Sequence, residues 1–401
     1  MPYQASRRAK SSISPFVLVA IAVVIAIPVV VIAIAVNMSG EIESRADGDE
    51  YPAWSPDGLR IALASDDTGD WDIFTQRPDG GVRTNLTNTP EIDETRPVWS
   101  PDGTIIAFLG AASNGTDIYT MRPDGTDRKN LTNQPGSYLD LTWSPDGSKI
   151  AFASSRDIPR DDWTPVPGSS MQGPPVDIRP AELYVMNADG TGVQRLTNND
   201  KADLNPSWSP DGTQLAFQSN RDGDYEIFVM NADGSEQKQL TSNNRVDSDP
   251  AWSPDGAWIA FSSNRAQTEF EEHTGASGQV FSIFLMRPDG SEQQNRSASI
   301  IRNDGAPRWS PDGRFILFDS RTQGRLAGVE GFNEITVITG AGLNSLRTPL
   351  TPSDQSTDPD LFTSGAWAPD SRRIAYVSRE SKLGHIRVME IALPGQAQAV
   401  R

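Results

Sequence analysis

The chain has 401 residues, a formal net charge of −18, no cysteine and only two histidines, His273 and His385. Without cysteine, disulfides, thiolate metal sites, a cysteine nucleophile and a lipid-modified N-terminal cysteine are excluded, and two histidines cannot form a multi-histidine metal site within one chain. We therefore expect no metal and no cofactor. Because the acidic charge repels phosphate backbones and no basic patch is visible, we also expect no nucleic-acid partner.

The first element of the chain is an uncharged apolar run over residues 15–36, long enough to cross a membrane as a helix. Basic residues precede the run and acidic residues follow it, so the positive-inside bias places residues 1–14 in the cytoplasm. A cleaved signal peptide is the alternative, with Ala33-Ile34-Ala35 as a weak cleavage pattern, but its apolar region is normally shorter. We therefore predict a single-pass membrane protein with an uncleaved signal anchor and a periplasmic or extracellular domain.

The rest of the chain repeats one motif, Trp-Ser-Pro-Asp-Gly, with an altered seventh copy at Trp367. The six regular copies begin at Trp54, Trp99, Trp143, Trp208, Trp252 and Trp309. The separation of Trp208 and Trp252, 44 residues, is typical of one four-stranded propeller blade. We therefore predict an all-β fold over residues 40–401: a monomeric seven-bladed β-propeller of four-stranded antiparallel blades.

Each unit alternates strands and turns. Ser-Pro-Asp-Gly suits a type I turn, with proline at the first central position and glycine closing the hairpin. The following strand alternates large and small apolar residues, as in Ile150-Ala151-Phe152, which suits burial between neighbouring blades. A second Asp-Gly turn follows the third strand, as at Asp233. The aspartates of both turns are therefore predicted to form turns and not to act in catalysis.

The succession WSPDG, IAF, SNR, IFVMNADG and LT resembles the TolB-like propeller repeat, a relative in shape of WD-repeat propellers. The resemblance covers essentially the whole chain after the apolar run. It is weakest in the sixth unit, where Gly340-Ala341-Gly342 replaces the Asp-Gly turn, and in the seventh. TolB also carries an N-terminal α/β domain, which we do not expect here, so its role with a lipoprotein partner is not carried over.

The two chain ends are rival candidates for the outer strand that closes the seventh blade. Ile42 lies twelve residues before Trp54, as Leu240 lies before Trp252, so residues 40–44 can supply this strand. Residues 396–401 are the alternative, after a turn at Pro394-Gly395. The spacing favours the N-terminal strand.

The loops divide between two faces of the ring. The Asp-Gly turns share one face, which we call the Asp-Gly face. The other connections share the insertion-bearing face, and its insertions are residues 157–180, 266–279, 322–332 and 352–365. Because loops on a rigid scaffold carry function, we expect a protein partner on the insertion-bearing face.

Two of these insertions carry candidate binding residues. These are Trp163, Met171, Glu271, Glu272 and His273. The first insertion is proline-rich and is either a semi-rigid arm that contacts a partner or a lid packed on the propeller. The acidic second one would attract a cation or a basic partner, but a solvated acidic loop is the commoner case.

An aspartate lies three to seven residues before each tryptophan, where the chain enters the innermost strand of a blade. The seven are Asp49, Asp93, Asp140, Asp203, Asp247, Asp304 and Asp360. An acidic ring at the channel mouth would attract a metal ion or a basic ligand. The alternative, which the sequence favours, is that each caps its own loop or pairs with an arginine ending a second strand, such as Arg221 or Arg265.

The sequence contains no Gly-x-Ser-x-Gly elbow, phosphate loop or Rossmann pattern, so we predict no catalytic residue and no enzyme. We expect a membrane-anchored extracytoplasmic scaffold that binds a protein or ligand. The alternative is a carbohydrate-active or other hydrolytic propeller with two carboxylates about 5–10 Å apart in an aromatic-lined pocket of the insertion-bearing face.

Overall fold

A computed structural model describes most of the repeat region. The described residues are 48–113, 115–134, 136–157, 180–265, 280–298, 302–322, 333–340, 347–350, 362–378 and 385–391. The apolar run and both candidate closing strands, residues 40–44 and 396–401, lie outside them. Within the described ranges no helix is long and apolar enough to span a membrane.

The first four blades are antiparallel sheets of four strands each. The first consists of β1 (Asp49–Trp54), β2 (Ile61–Ser65), β3 (Asp72–Gln76) and β4 (Thr84–Asn85). The second consists of β5 (Asp93–Trp99), β6 (Ile106–Ala112), β7 (Gly115–Met121) and β8 (Lys129–Asn130). The third consists of β9 (Tyr138–Trp143), β10 (Lys149–Ser154), β11 (Glu182–Asn187) and β12 (Gln194–Arg195). The fourth consists of β13 (Asp203–Trp208), β14 (Gln214–Ser219), β15 (Glu226–Asn231) and β16 (Lys238–Gln239).

The fifth and sixth blades repeat this order, and the seventh has three strands among the described residues. The fifth consists of β17 (Asp247–Trp252), β18 (Ile259–Ser263), β19 (Ser282–Met286) and β20 (Gln294–Asn295). The sixth consists of β21 (Arg302–Trp309), β22 (Phe315–Thr322), β23 (Asn333–Thr339) and β24 (Arg347–Pro349). The seventh consists of β25 (Phe362–Trp367), β26 (Arg373–Ser378) and β27 (His385–Glu390). The predicted seven-bladed, all-β propeller is confirmed.

The hydrophobic core is divided among the interfaces between neighbouring blades. Seven apolar clusters each join side chains from two adjacent blades. One of them packs Ile61 and Leu63 of the first blade with Ala375 and Val377 of the seventh. The alternation of large and small residues on the second strands therefore fills these interfaces, and the first and last blades pack together like the others.

In five blades the repeated tryptophan connects the blade to the one before it. Trp99 Nε1 donates a hydrogen bond of 3.1 Å to the carbonyl oxygen of Ala53 in the preceding blade. Trp54, Trp143, Trp309 and Trp367 make the equivalent bond at 3.0–3.3 Å. The motif thus serves both as a turn within a blade and as a link between blades.

The Asp-Gly turns form as the sequence predicts. Ser55 Oγ donates to Asp57 Oδ1 at 2.5 Å, and Leu59 N donates to the same oxygen at 3.0 Å. Gly58 has a φ of +69°, which a residue with a side chain rarely adopts. The hydrogen bond from Ser55 also lowers the pKa of Asp57. Because the Asp57 carboxylate accepts both bonds within the turn, this aspartate stabilises the turn.

Candidate functional site

Four of the seven acidic residues predicted at the channel mouth are buried inside their blades. Asp49, Asp203, Asp247 and Asp304 are each at most 2% exposed. Each lies five residues before its tryptophan and accepts hydrogen bonds from its own blade. Asp304 Oδ1 accepts its hydrogen bond from Ser320 Oγ, at 2.6 Å. These carboxylates are therefore part of the structural interior of the blades.

Arginine is the usual partner of these buried carboxylates. Arg221 Nη2 lies 3.1 Å from Asp203 Oδ2, and its guanidinium carbon lies 4.6 Å from the ring centre of Phe228. Arg265 pairs with Asp247 in the same way in the fifth blade. The favoured alternative, pairing with an arginine that ends a second strand, is therefore present in these two blades.

In the second blade the buried carboxylate is not the aspartate that the sequence interpretation selected. Its buried carboxylate is Glu94, which is bonded to Arg128. Asp93, one residue earlier, is partly exposed and accepts a hydrogen bond of 3.3 Å from Trp71 N. The constant five-residue spacing to the tryptophan would have identified Glu94.

Six further predicted binding residues cannot be placed. Asp360, Trp163, Met171, Glu271, Glu272 and His273 lie outside the described residues. Their binding roles stay predictions.

A different set of residues surrounds the axis of the propeller. In each innermost strand a β-bulge interrupts the pairing with the second strand, as between Leu204 and Ser207. The residue three positions before the tryptophan has a φ of 51–55° in all seven blades. We call these residues the inner ring: Tyr51, Arg96, Asp140, Asn205, Asp249, Ala306 and Ser364.

Four inner-ring residues from consecutive blades contact one another, and we call them the polar arc: Arg96, Asp140, Asn205 and Asp249. Arg96 Nη1 lies 3.8 Å from Asp140 Oδ1. Asn205 donates from its backbone N to Asp140 Oδ2 at 3.4 Å and from Nδ2 to Asp249 Oδ1 at 2.6 Å. Contacts between the innermost strands of successive blades place these side chains along the central channel.

Neighbouring groups fix the orientation of the polar arc. Gln218 Oε1 accepts hydrogen bonds from Asp249 N at 2.9 Å and from Asn205 Nδ2 at 3.2 Å. The guanidinium carbon of Arg96 lies 5.0 Å from the ring centre of Tyr51, which extends the contacts to the first blade. The remaining inner-ring residues, Ala306 and Ser364, are small. The channel wall is therefore polar on one side.

The pKa values of the two carboxylates of the polar arc shift in the opposite direction from that of the turn aspartate Asp57. Burial raises the pKa of both Asp140 and Asp249. Arg96 partly opposes this shift in the pKa of Asp140, whereas the charge of Asp249 adds to it. The Asp140 side chain is still 23% exposed, so a ligand in the channel can reach it. Across the described ranges, no three acidic or histidine residues are grouped to hold a metal ion.

Sequence reasoning found Asp140 and missed the other members of the polar arc. A local signal for them exists, since the inner-ring residue precedes a proline in five blades, as in Asn205-Pro206 and Asp249-Pro250. Positive φ outside glycine is uncommon, however, and a proline gives no indication of it. The search for acids near each tryptophan therefore selected the buried position in most blades.

Comparison with known proteins identifies the repeat. The family model of the TolB beta propeller domain matches residues 28–160 and 179–325. No curated protein matches the chain.

Several solved structures share the fold at low sequence identity. An oligogalacturonate lyase from Vibrio parahaemolyticus is 14% identical, with a TM-score of 0.65 over 88% of this chain and 92% of that one. A puromycin-hydrolysing peptidase of Mycobacterium tuberculosis is 14% identical, with a TM-score of 0.60 over 87% of this chain and 52% of that one. A putative TolB from Agrobacterium tumefaciens is 22% identical, with a TM-score of 0.47 over 67% of this chain and 87% of that one. At these identities the first two show the fold alone.

Proposed function

The chain belongs to the TolB beta propeller domain family, and from this premise we propose that it is an extracytoplasmic binding scaffold anchored in a membrane by residues 15–36. Its protein partner docks on the insertion-bearing face and reaches the polar arc through the channel. The ring itself is rigid, because every blade packs against both neighbours. A rigid ring with variable loops on one face is suited to recognition.

The polar arc is the observation that carries the proposal. Turn aspartates such as Asp124 and Asp233 already accept hydrogen bonds from their own loops. The buried aspartates Asp203 and Asp247 are paired with arginines. Polar-arc side chains remain accessible from the channel, with Arg96 49% and Asp140 23% exposed. They are suited to contact a ligand that enters the ring.

The charges of the polar arc indicate the chemistry of the group that it binds. Asp140 and Asp249 are held at raised pKa by burial. A basic side chain from a partner would stabilise their ionised forms, since an opposite charge within about 4–6 Å favours ionisation. We therefore expect the partner to present a lysine or arginine to the channel.

The capture experiment uses the full-length protein in solubilised membranes. Asp249→Asn removes a charge from the polar arc while keeping the size of the side chain. Asp127→Asn makes the same change at an exposed turn on the Asp-Gly face and is the matched control. We expect at least a several-fold loss of partner capture for the first variant, with unchanged melting temperature, and none for the second. Equal capture by both variants and the wild type would contradict the proposal.

Membrane attachment is proposed from the apolar run and its flanking charges. The chain has no cysteine, so single cysteines can report topology. We expect a membrane-impermeant maleimide to label Asp127→Cys in intact cells. We expect it to label Ser6→Cys only after the cells are permeabilised. Labelling of Ser6→Cys in intact cells would contradict this orientation.

A hydrolytic function is a second candidate, because Asp140 and Asp249 contact the same asparagine and both have a raised pKa. A carboxyl group with a raised pKa can act as a general acid beside an ionised partner. Hydrolysis of a polysaccharide or aryl glycoside that is lost in both Asp140→Asn and Asp249→Asn would support this candidate. Activity unaffected by either substitution would exclude it.

A further inference from the structure

Two arginines of the innermost strands flank the carboxylates of the polar arc, and we call them the channel arginines: Arg96 and Arg308. Arg96 belongs to the second blade, and Arg308 lies one residue before Trp309 in β21 of the sixth blade. Their side chains are 49% and 39% exposed. β21 packs beside β17, the strand that carries Asp249. From the second blade to the sixth, the charged groups therefore follow the order arginine, aspartate, aspartate, arginine.

Neither channel arginine is hydrogen-bonded to its nearest carboxylate. Arg96 Nη1 lies 3.8 Å from Asp140 Oδ1, and Arg308 Nη1 lies 3.6 Å from Asp319 Oδ2. Both distances are too long for a hydrogen bond. Arg308 Nη1 has no hydrogen-bond partner within the described part of the chain, and neither has Asp319 Oδ1. Because a guanidinium group carries five N–H donors, both channel arginines keep donors for a ligand.

Arginines inside the blades use their donors differently. Arg221 donates from Nε to Ser219 Oγ and from Nη1 to Gln237 Oε1, both at 2.8 Å. Its Nη2 lies 3.1 Å from both carboxylate oxygens of the buried Asp203. All three nitrogens of this guanidinium group therefore bind groups of the fold. The unused donors of the channel arginines are a property of their place in the channel wall.

The neighbours of the channel arginines leave them open to the channel. The ring of Tyr51 lies 5.0 Å from the guanidinium carbon of Arg96 and orients that group. Beside Arg308, the inner-ring residues of the sixth and seventh blades are the small Ala306 and Ser364. In a ring of seven blades the sixth lies nearly opposite the second, so a ligand on the axis lies between the two guanidinium groups.

We propose that the channel arginines bind a carboxylate of the same partner segment whose basic side chain binds Asp140 and Asp249. The segment then carries an acidic side chain next to a basic one. A planar guanidinium edge matches the two oxygens of a carboxylate. A purely basic segment would be repelled by both channel arginines, whereas a mixed segment matches both signs of charge. This inference rests on the proposed function, since it takes the channel as the partner's binding site.

Binding of defined peptides to the full-length protein in detergent tests the inference. The probes are three tetrapeptides with blocked ends: Gly-Lys-Glu-Gly, Gly-Lys-Gln-Gly and Gly-Gln-Glu-Gly. Titration by ligand-observed NMR gives their dissociation constants. We expect Gly-Lys-Glu-Gly to bind about fivefold more tightly than either of the others, as one added ion pair allows. Equal binding of Gly-Lys-Glu-Gly and Gly-Lys-Gln-Gly, or no binding of any peptide, overturns the inference.

Substitution of the channel arginines locates the acidic group of the peptide. We expect Arg96→Gln with Arg308→Gln to abolish the preference for glutamate over glutamine and to leave the melting temperature unchanged. The matched control is Arg77→Gln with Arg122→Gln, two exposed arginines in turns of the Asp-Gly face, and it should keep the preference. An unchanged preference in the channel variant overturns the inference.

Two further variants complete the test. Asp249→Asn should reduce the preference for lysine over glutamine, which is the part that the proposed function predicts. If it does so while the channel-arginine variant changes nothing, only the present inference fails. If Asp249→Asn keeps the lysine preference, the proposed recognition of a basic group fails instead. Should the glutamine variant not fold, Arg96→Lys with Arg308→Lys keeps the charge and should weaken the glutamate preference at least twofold, and an unchanged preference there also overturns the inference.

Discussion

Trp54 of the first blade donates a hydrogen bond of 3.1 Å to the carbonyl oxygen of Ala366 in the seventh blade, 312 residues further along the chain. The same bond is present at four other junctions, so the first and seventh blades are joined by a contact that recurs around the ring. The hydrogen bond from Trp54 Nε1 to the Ala366 carbonyl oxygen therefore joins the first and seventh blades and closes the ring.

Removal of this bond should destabilise the ring at its junction. Trp54→Phe leaves the Ala366 carbonyl without its donor, at a cost of about 1–3 kcal/mol beyond the loss of ring volume. Trp208→Phe is the matched control, because Trp208 is equally buried but its Nε1 has no hydrogen-bond partner within the described part of the chain. Urea unfolding measures both free energies. Equal losses for the two variants would contradict a role of the bond in closure.

The buried arginine–carboxylate pairs should contribute more to the free energy of unfolding than the pairs on the surface. Arg265→Met leaves the fully buried Asp247 without its cation, and such a loss costs about 3–5 kcal/mol. Arg77→Met breaks an exposed pair with Asp79 and should cost less than about 1 kcal/mol. Adding Asp247→Asn to Arg265→Met should restore part of the stability. A cost no larger than that of Arg77→Met would show that Arg265 is not needed to hold Asp247.

Two buried glutamates make stability depend on pH. Burial raises the pKa of Glu94 and of Glu226 to about 7, from an ordinary value of 4.5. Between these values the folded protein keeps protons that the unfolded chain has released, so the free energy of unfolding falls as the pH rises from about 4.5 to 7. Glu226→Gln should reduce this slope, and the exposed Glu91→Gln should not. Denaturant midpoints across this window measure it, and an unchanged slope in Glu226→Gln would contradict the assignment.

The fold was predictable because its signals are local and repeated. Six copies of Trp-Ser-Pro-Asp-Gly and an altered seventh at Trp367 indicate the number of blades, and each Asp-Gly turn forms from neighbouring residues. The alternation in Ile150-Ala151-Phe152 identifies the strand that fills the blade interfaces. The structure confirms each of these predictions.

The candidate site was predictable only in part, because it depends on contacts between blades. Asp140 and Asp249 lie 109 positions apart in the sequence, and one bridging residue, Asn205, brings them into the same cluster. Their inward position follows from a bulge with positive φ. Asp203 lies two residues before that bulge and is buried in its blade, so a search by residue type does not separate the two positions.

Site-specific photo-crosslinking in living cells tests the central claim, that a partner docks on the insertion-bearing face, most directly. One photoreactive residue replaces Asp222, in an exposed loop of that face, and in a second variant it replaces Asp127, in an exposed turn of the Asp-Gly face. We predict a partner adduct from position 222 and none from position 127. Adducts from position 127 alone, or equally from both, would contradict the claim.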